Sequence, residues 1–401
     1  MPINTNPKKI EELLTMNVHN ITDKKRLQRK MLFGKKLRIK HGIDPTGSNL
    51  HIGRAVLYWK LKKFQEMGHQ IVIIIGDFTA QIGDASDKQA MRKPLTEKEI
   101  IENMKTYKKQ LNKILDMSKI ELRYNSEWLN KLSMKEMLKL SMKFTAQQMI
   151  QRTNFKERWK QNKPIGVHEL LYPLLQGYDS AAIKADVEIG GFDQLFNLFI
   201  GREVQKFYRQ QPQDIITYKM LYGLDGRKMS TSWGNVINIL DSPNEQYGKI
   251  MSMKDELITN YLELAADIPS EKIQQIKNDI KSKKLSLKQV KVFLAKKIVS
   301  MYHSKTAADK AEKEFNRIFT QKKIPSKIKS IKLKIKEINI LDLLVQVKLV
   351  SSKSEAKRVI IQRGVKIDNI VQDDWQKTVI LKSETVIQVG KRKFIKIKLV
   401  A

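Results

Sequence analysis

Two segments of the sequence hold residues that can bind a phosphate chain, HIGR at residues 51–54 and KMSTS at residues 228–232. The first follows the turn DPTG at residues 44–47, where the pattern predicts the start of a helix. Helix N-termini bind phosphate through their N–H groups and their dipole. His51 can donate a hydrogen bond to a phosphate oxygen, and Gly53 leaves room for a flat ring against the backbone. Either segment alone is short enough to arise by chance.

The second segment lies in a loop between Gly226 and Gly234, directly after a predicted strand. Lys228, together with the hydroxyl groups of Ser230 and Thr231, can stabilise the negative charge that develops on a leaving pyrophosphate. Open α/β sheets bind their ligands at the carboxyl ends of the strands. The position therefore favours a functional loop over a solvated polar one.

Strand and helix patterns alternate along residues 36–222 and predict a doubly wound parallel sheet of the Rossmann type. The predicted strands are 36–43, 70–75, 120–124, 186–189 and 215–222, and the predicted helices cover 51–67, 96–115, 127–178 and 193–209. We expect a catalytic domain over 1–236 with a helical insertion at about 95–170, an all-α domain over 237–320, a linker over 321–337 and a small α+β domain over 338–401.

The last part of the chain is its most basic part. The net charge is +34, and residues 321–401 hold 20 lysines and arginines but only 7 aspartates and glutamates. Ser352 and Glu355 predict a capping box that opens a helix ending at Gly364. Its basic residues are Lys353, Lys357, Arg358 and Arg363. This charge favours a polyanionic partner such as RNA, and a charged structural appendage is the alternative.

The composition excludes several classes of protein. The chain has no cysteine and six histidines, none of them in a metal-ligand spacing, so we expect no zinc site, and no haem or flavin either. No apolar run is long enough for a membrane span, and the first 16 residues resemble neither a signal peptide nor a transit peptide. We expect a soluble protein of the bacterial cytoplasm, or of the plastid stroma if the plastid encodes it, that is not secreted.

Taken together, the two phosphate-binding segments resemble the signature motifs of class I aminoacyl-tRNA synthetases, which carry His-Ile-Gly-His and Lys-Met-Ser-Lys-Ser at such places. The stretches between them are similar to tyrosyl-tRNA synthetases of the bacterial and organellar branch, notably the cyanobacterial type. The similar stretches are GIDPTG (42–47), GDFTAQIGD (76–84), RYNSEW (123–128), HELLYP (168–173), QGYDS (176–180) and DVEIGGFDQ (186–194). The C-terminal segment resembles the small RNA-binding module named after ribosomal protein S-four.

The resemblance implies a tyrosine–tRNA ligase that converts L-tyrosine and ATP to tyrosyl-adenylate and transfers the tyrosine to tRNA(Tyr). It implies Mg²⁺ with ATP and a homodimer. The ATP-binding residues it implies are Asp44, Thr46, His51, Gly53, Asp193, Lys228, Met229, Ser230 and Thr231. The catalytic residues it implies are His51, Arg54, Lys88, Arg92, Lys228 and Thr231, and the RNA-binding residues are the four basic residues of the C-terminal helix.

Tyr172, Gln176 and Asp179 are spaced so that one helix face presents all three. By the resemblance, Asp179 accepts a hydrogen bond from the phenol of tyrosine. Tyr172, Gln176 and Asp84 hold the ammonium group, with Gln194 beside the substrate. Phenylalanine would leave Asp179 desolvated and unpaired, which is costly. The alternative for this face is a capped helix exposed to solvent.

Five positions depart from the family pattern. Arg54 replaces a histidine, Thr231 replaces a lysine, and Phe192 replaces a threonine or serine. In addition, DASDK at residues 84–88 replaces Asp-Pro-Ser-Gly-Lys. These departures support a second hypothesis, in which the chain is an RNA-binding relative with weak or lost activation that acts as a splicing or regulatory factor.

Overall fold

Strands rich in buried isoleucine and valine determine the architecture of the chain, because parallel strands are covered by helices on both faces. The computed structural model describes residues 2–84, 94–321, 324–326, 328–390 and 393–400, except the side chains of Thr153 and Ser232. The chain divides into two compact units, Met1–Ala308 and Asp309–Ala401. No helix in the described part of the chain is long and apolar enough to cross a membrane.

The first unit is built on a six-stranded sheet. Its strands are β1 (Val18–Ile21), β2 (Arg38–Ile43), β3 (Gln70–Ile75), β4 (Ile120–Tyr124), β5 (Val187–Gly191) and β6 (Asp214–Tyr218). The order across the sheet is β1-β6-β5-β2-β3-β4, with β2 to β6 parallel and β1 antiparallel to β6. The predicted doubly wound parallel sheet is confirmed. The chain leaves β2 and β5 in opposite directions across the sheet, which opens a crevice at their carboxyl ends.

Helices connect and cover these strands. Before β4 they are α1 (Pro7–Thr15), α2 (Lys24–Leu32), α3 (Ile52–Glu66), α4 (Thr79–Ile82), α5 (Glu97–Met104) and α6 (Tyr107–Leu111). After β4 they are α7 (Ser126–Leu129), α8 (Met134–Ser141), α9 (Ala146–Ile150), α10 (Thr153–Lys160), α11 (Val167–Ala182) and α12 (Leu195–Phe207). After β6 they are α13 (Pro243–Ser252), α14 (Ile258–Leu264), α15 (Ser270–Lys281), α16 (Leu287–Tyr302) and α17 (Lys305–Phe315).

Two features of the first unit differ from the sequence-based expectation. The elements α1, β1 and α2 were not predicted, and β1 has four residues and no buried one. The strand expected over 215–222 ends at Tyr218, since Lys219 N donates to Asn17 O (3.0 Å) and Tyr222 N to the Asn260 side chain (3.0 Å). The helices after residue 237 lie in the first unit up to Ala308, and the domain boundaries expected at 236 and 320 stay predictions.

The described part of the second unit holds the end of α17, a five-stranded sheet, a two-stranded sheet and two further α-helices. A π-helical turn, Asn316–Thr320, precedes β7 (Ser330–Leu333), β8 (Glu337–Asn339), α18 (Ile340–Gln346), α19 (Lys353–Ile361), β9 (Val365–Ile367), β10 (Ile370–Gln372), β11 (Thr378–Ile380), β12 (Val386–Val389) and β13 (Lys393–Leu399). The sheet orders are β10-β9-β12-β13-β7 and β11-β8. Leu343, Leu344, Ile360, Ile387 and Ile397 are fully buried in its core.

The segment predicted as a linker, residues 321–337, contains β7 and the first residue of β8. Ile331 and Leu333 pair in parallel with Ile397 and Leu399 of β13, and Leu333 is buried. Ser330 and Lys332 occupy the alternate positions of β7, and Lys334 and Lys336 follow the strand, so a lysine-rich composition concealed the two-residue period that is typical of a strand.

The helix predicted over 355–363 begins earlier, at Lys353, with Ser352 as its N-cap. Ser352 Oγ accepts from Glu355 N at 3.2 Å, but the Glu355 carboxylate accepts from Ser351 instead of Ser352, so the predicted capping box does not close. The left-handed residue that ends the helix is Arg363, with φ of 55°, and not the predicted Gly364. Gly364 N still donates to Val359 O at 2.8 Å.

Two glycines set the distance between α11 and α12. A Cβ atom added to Gly177 would lie 2.8 Å from Cγ2 of Val204 and 3.2 Å from Cα of Gly201. The two helix backbones can approach this closely because neither glycine carries a side chain. As a result, polar side chains of α11 and α12 come within hydrogen-bond distance of one another.

We predict that Gly177→Ala lowers the free energy of unfolding by about 1–3 kcal/mol, because the added methyl group overpacks the crossing. Gly248→Ala is the matched control, since a Cβ there meets no atom within 4 Å inside α13. The control should be more stable than the wild type by about 0.5–1 kcal/mol. Urea unfolding followed by circular dichroism measures both, and equal effects of the two substitutions would contradict the prediction.

Candidate active site

A cavity of about 340 Å³ opens in the crevice between β2 and β5. Residues of β2, α3, α11 and the loop after β6 line it. Among its lining residues are Asp44, Thr46, His51, Gly53, Arg54, Asp84, Tyr172, Gln176, Asp179, Asp193, Gln194, Lys228, Met229, Ser230 and Thr231. These are all the ligand-binding residues predicted for the first unit except Lys88 and Arg92, which lie outside the described residues.

The face of α11 points into this cavity as the spacing predicts, with Asp179 at its buried end. Oδ1 of Asp179 accepts from Nε1 of Trp128 at 2.8 Å, and Oδ2 accepts from Nδ2 of Asn125 at 3.4 Å. Burial raises the pKa of Asp179 to about 7, although the Lys40 charge and the two hydrogen bonds lower it. The alternative of a solvent-exposed helix face is wrong, because Asp179 is only 4% exposed.

The Asp44 carboxylate joins the turn after β2 to α11. Its Oδ2 accepts from the Tyr172 hydroxyl at 2.9 Å, and its Oδ1 accepts from Oγ1 of Thr79 at 2.8 Å. Burial, and then the Asp44 and Asp84 charges, raise the pKa of Tyr172 well above its usual value. Tyr172 therefore stays neutral, and its hydroxyl is oriented by Asp44.

The start of α3 differs from a simple phosphate-binding helix end. Helix α3 begins at Ile52, and its first N–H donates to Ile237 O at 2.8 Å, so it is not available to a phosphate. Burial, and then the charges of Arg54 and Lys228, lower the pKa of His51 to about 3. His51 is therefore a neutral imidazole, and its buried Nδ1 has no partner in the described part of the chain.

Gly53 allows the His51 imidazole and the Met229 thioether to approach the helix backbone closely, which no sequence pattern indicated. A Cβ atom there would lie 3.0 Å from Nδ1 of His51 and 3.1 Å from the sulfur of Met229. The space expected for a flat ring is thus bounded by the imidazole on one side and by the thioether of the second segment on the other. The two phosphate-binding segments meet at this glycine.

Arg54 lies over the turn after β2. Its Nη2 donates to Oγ1 of Thr46 at 3.3 Å, and its Nη1 is 3.5 Å from Asp44 O. These contacts hold a fixed positive charge beside the cavity.

The loop after β6 brings a second cation into the cavity. Nζ of Lys228 is 2.9 Å from Oδ2 of Asp193. Asn235 fixes the loop, since its Oδ1 accepts from Ser230 N (2.9 Å) and its Nδ2 donates to Lys228 O (3.0 Å). Thr231 is exposed and begins a 3₁₀ turn.

Two ion pairs at the wall of the cavity were not predicted. Lys40 and Glu188 are register partners on β2 and β5 and lie 2.9 Å apart, and Nη2 of Arg152 lies 2.9 Å from Oδ1 of Asp84. The glutamate within the otherwise apolar β5 could have signalled the first pair. No local pattern marks Arg152, because its partner is 68 residues away in the sequence.

The four basic residues of α19 and its end are exposed in the second unit. Lys353 lies 2.5 Å from Asp342, and Arg363 lies 3.6 Å from Asp373. Nζ of Lys357 is 3.9 Å from the centre of the Trp375 ring. The surface is accessible to a polyanion, although two of its charges have carboxylate partners.

Comparison with known proteins gives the family of this fold and cavity. The sequence model described as tRNA synthetases class I (W and Y) matches residues 33–320. The tyrosine–tRNA ligase of Thermotoga maritima is 44% identical and covers 98% of each chain. The tyrosine–tRNA ligase of Carboxydothermus hydrogenoformans is 45% identical over 93% of this chain and 92% of its own length. A crystal structure of tyrosyl-tRNA synthetase from Archaeoglobus fulgidus complexed with L-tyrosine matches with a TM-score of 0.62 at 23% identity, over 76% of this chain and 99% of that one.

We predict that Asp179→Asn stabilises the protein relative to the wild type increasingly as the pH rises from 5 to about 7. Asp179 has a pKa of about 7 in the folded state against 3.8 ordinarily. The folded state therefore keeps a proton that the unfolded state releases in this window, and the wild type loses free energy of unfolding as the pH rises. The measurement is urea unfolding of both proteins at several pH values.

Asp116→Asn is the matched control for this experiment. Hydrogen bonds from Lys119 and Ser118 lower the pKa of the exposed Asp116 to about 2, so it is ionised in both states throughout the window. Its effect on unfolding should not change with pH. A pH-independent difference between Asp179→Asn and the wild type would refute the assignment of the raised pKa.

Proposed function

The chain belongs to the tyrosyl-tRNA synthetases of class I, and we propose that its cavity activates L-tyrosine with ATP and then transfers it to tRNA(Tyr). The chain is thus an enzyme, a tyrosine–tRNA ligase. The observation that carries the assignment of the cavity is the face of α11, whose Tyr172, Gln176 and Asp179 all line it. The face ends in a buried carboxylate, which suits a phenolic hydroxyl.

In the first step a carboxylate oxygen of tyrosine attacks the α-phosphorus of ATP. The bond from that phosphorus to the bridging oxygen breaks, and pyrophosphate leaves with the bonding electrons. In the second step a hydroxyl of the terminal adenosine of the tRNA attacks the carbonyl carbon, and AMP leaves. No nucleophilic side chain is needed, because positioning and charge stabilisation lower the barriers. Mg²⁺ enters with ATP, held mainly by phosphate oxygens and water.

The tyrosine site has one end for the phenol and one for the ammonium group. Asp179 accepts the phenolic hydrogen bond. Tyr172, Gln176 and Asp84 receive the ammonium group, with Gln194 beside it. In support of this division, Asp84 and Asp179 are both cavity-lining carboxylates on different elements, and Tyr172 is oriented by Asp44.

The ATP site is built from both phosphate-binding segments. Asp193 binds the ribose, and Asp44, Thr46, Gly53 and Met229 contact the nucleotide. His51 and Ser230 give hydrogen bonds to the phosphates, and Arg54, Lys228 and Thr231 stabilise the leaving pyrophosphate with Lys88 and Arg92. The 2.9 Å contact between Lys228 and Asp193 supports this arrangement, because it brings the groups assigned to the pyrophosphate and to the ribose to the same part of the cavity.

The remaining assignments concern RNA, assembly and location. Lys353, Lys357, Arg358 and Arg363 bind the tRNA by charge, with the helices after residue 237 as a further tRNA-binding region and the segment after residue 338 as an RNA-binding domain. The protein forms a homodimer and works in the bacterial cytoplasm or the plastid stroma. The alternative of a splicing or regulatory factor without activation is not favoured, because relatives similar over nearly the whole chain are ligases.

The test of this function is tyrosine-dependent exchange of pyrophosphate into ATP. We predict exchange with L-tyrosine and almost none with L-phenylalanine, and we expect Asp179→Asn to lower kcat/KM for tyrosine by about 10- to 100-fold, the cost of an unsatisfied buried group. Asp116→Asn serves as the exposed control. No exchange at saturating tyrosine would rule out the enzyme, and equal exchange with phenylalanine would rule out the role of Asp179.

The exposed Thr231 allows a second test. We predict that Thr231→Lys raises the rate of tyrosine activation by about tenfold or more, because a second mobile cation would stabilise the departing pyrophosphate. Thr231→Met is the control for side-chain length without charge and should not raise the rate. An unchanged or lower rate with lysine would show that Arg54 already supplies this charge.

A further inference from the structure

We propose that Asn197, a buried residue of α12, is a positioning residue that holds the amide oxygens of Gln176 and Gln194 side by side as acceptors for the ammonium group of tyrosine. The inference rests on the proposed function, because it assumes that tyrosine binds in this cavity. Asn197 is only 1% exposed and does not contribute to the cavity lining, whereas both glutamines do. It therefore acts through them.

The side-chain amides of Gln176, Asn197 and Gln194 form a hydrogen-bonded chain, here called the amide chain. One end of the amide chain is fixed by a buried ion pair. Nζ of Lys40 lies 2.9 Å from Oε1 of Glu188. It also donates to Oγ of Ser180 at 2.7 Å and to the backbone carbonyl oxygen of Gln176 at 2.8 Å. Oε2 of Glu188 accepts from Ser180 at 3.0 Å and from the side chain of Gln213. A carboxylate held in this way can only accept hydrogen bonds.

The other end is fixed by Asp84. Its Oδ1 is 2.9 Å from Nη2 of Arg152, and its Oδ2 accepts from Nε2 of Gln194 at 2.6 Å. The Arg152 guanidinium lies over the Phe155 and Phe196 rings, 5.0 and 5.7 Å from their centres. This end is also a carboxylate and also only accepts.

The two carboxylates determine the orientation of every amide between them. Gln176 turns its NH₂ group to Glu188 (3.4 Å), and Gln194 turns its NH₂ group to Asp84, so both amide oxygens face inward. Nδ2 of Asn197 donates to Oε1 of Gln176 at 2.9 Å and to Oε1 of Gln194 at 3.2 Å. The two hydrogens of the Asn197 NH₂ group thus begin two series of hydrogen bonds, one through Gln176 to Glu188 and one through Gln194 to Asp84.

This orientation suits a cationic ligand. An ammonium group offers three N–H donors and no acceptor, and an amide oxygen carries two lone pairs, so it can accept from Asn197 and from a ligand. With the amides reversed, their NH₂ groups would face the ammonium group and repel it. The two orientations of a side-chain amide have nearly the same shape, so hydrogen-bond partners determine which one forms. Here those partners are Asn197 and the two carboxylates.

The experiment measures binding of L-tyrosine and of 3-(4-hydroxyphenyl)propanoate, which lacks the amino group, by isothermal titration calorimetry on the full chain. The variants are Asn197→Ala, which removes the donors, and Asn197→Asp, which replaces them with acceptors. Both should weaken L-tyrosine by roughly tenfold or more while leaving the des-amino analogue nearly unchanged. The larger loss is expected for aspartate, because it forces an amide to reverse.

Gln65→Ala is the matched control. Gln65 is a buried amide on α3, and its side chain bonds to the backbone carbonyl and N–H of Asp116, outside the amide chain. It should change neither the affinity for L-tyrosine nor the ratio between the two ligands. If the Asn197 variants weaken the affinity for both ligands by the same factor, or change neither affinity, the positioning role is overturned. A wild type that binds neither ligand would instead overturn the proposed function.

Discussion

The site depends on one buried ion pair, Lys40 with Glu188, whose glutamate lines the cavity. Moving two charges out of water costs several kcal/mol for each ion, and their attraction compensates only when the remaining hydrogen-bonding capacity is also used. Here it is used, because Nζ of Lys40 has three partners and both Glu188 oxygens are engaged. The pair joins β2, β5 and α11, and it fixes α11 at the turn that carries Gln176 and Asp179.

The cavity wall carries charges of both signs. The carboxylates of Asp44, Asp84, Asp179 and Asp193 line it together with the cations Arg54 and Lys228. Under the proposed function, a zwitterionic amino acid and a polyanionic nucleotide each meet charges of opposite sign within one crevice. Burial keeps His51 neutral, so it adds a hydrogen-bonding group and not a third cation.

How much the sequence predicts depends on the range of the interaction. The bounds of β3 and β4 agree with the prediction because each is an uninterrupted short pattern, and the face of α11 follows from spacing alone. The Lys40–Glu188 partners are 148 residues apart, and the lysines in and after β7 give this stretch the composition of a linker. Such pairings depend on the tertiary structure, because the two residues come into contact only when their strands lie side by side. Lys88 and Arg92 lie outside the described residues, so their expected roles stay proposals.

Under the proposed function, the departures at Arg54 and Thr231 amount to a transfer of charge from a loop to a helix. Arg54 is held by Asp44 O and Thr46 Oγ1, so the proposal places its charge beside the nucleotide site before the nucleotide binds. A lysine at position 231 would bring the same charge on an exposed 3₁₀ turn, at the cost of ordering a flexible chain. A preorganised cation stabilises developing charge without reorganisation, but it also attracts the phosphates of the ground state. The exchange therefore favours nucleotide binding over selective stabilisation of the transition state.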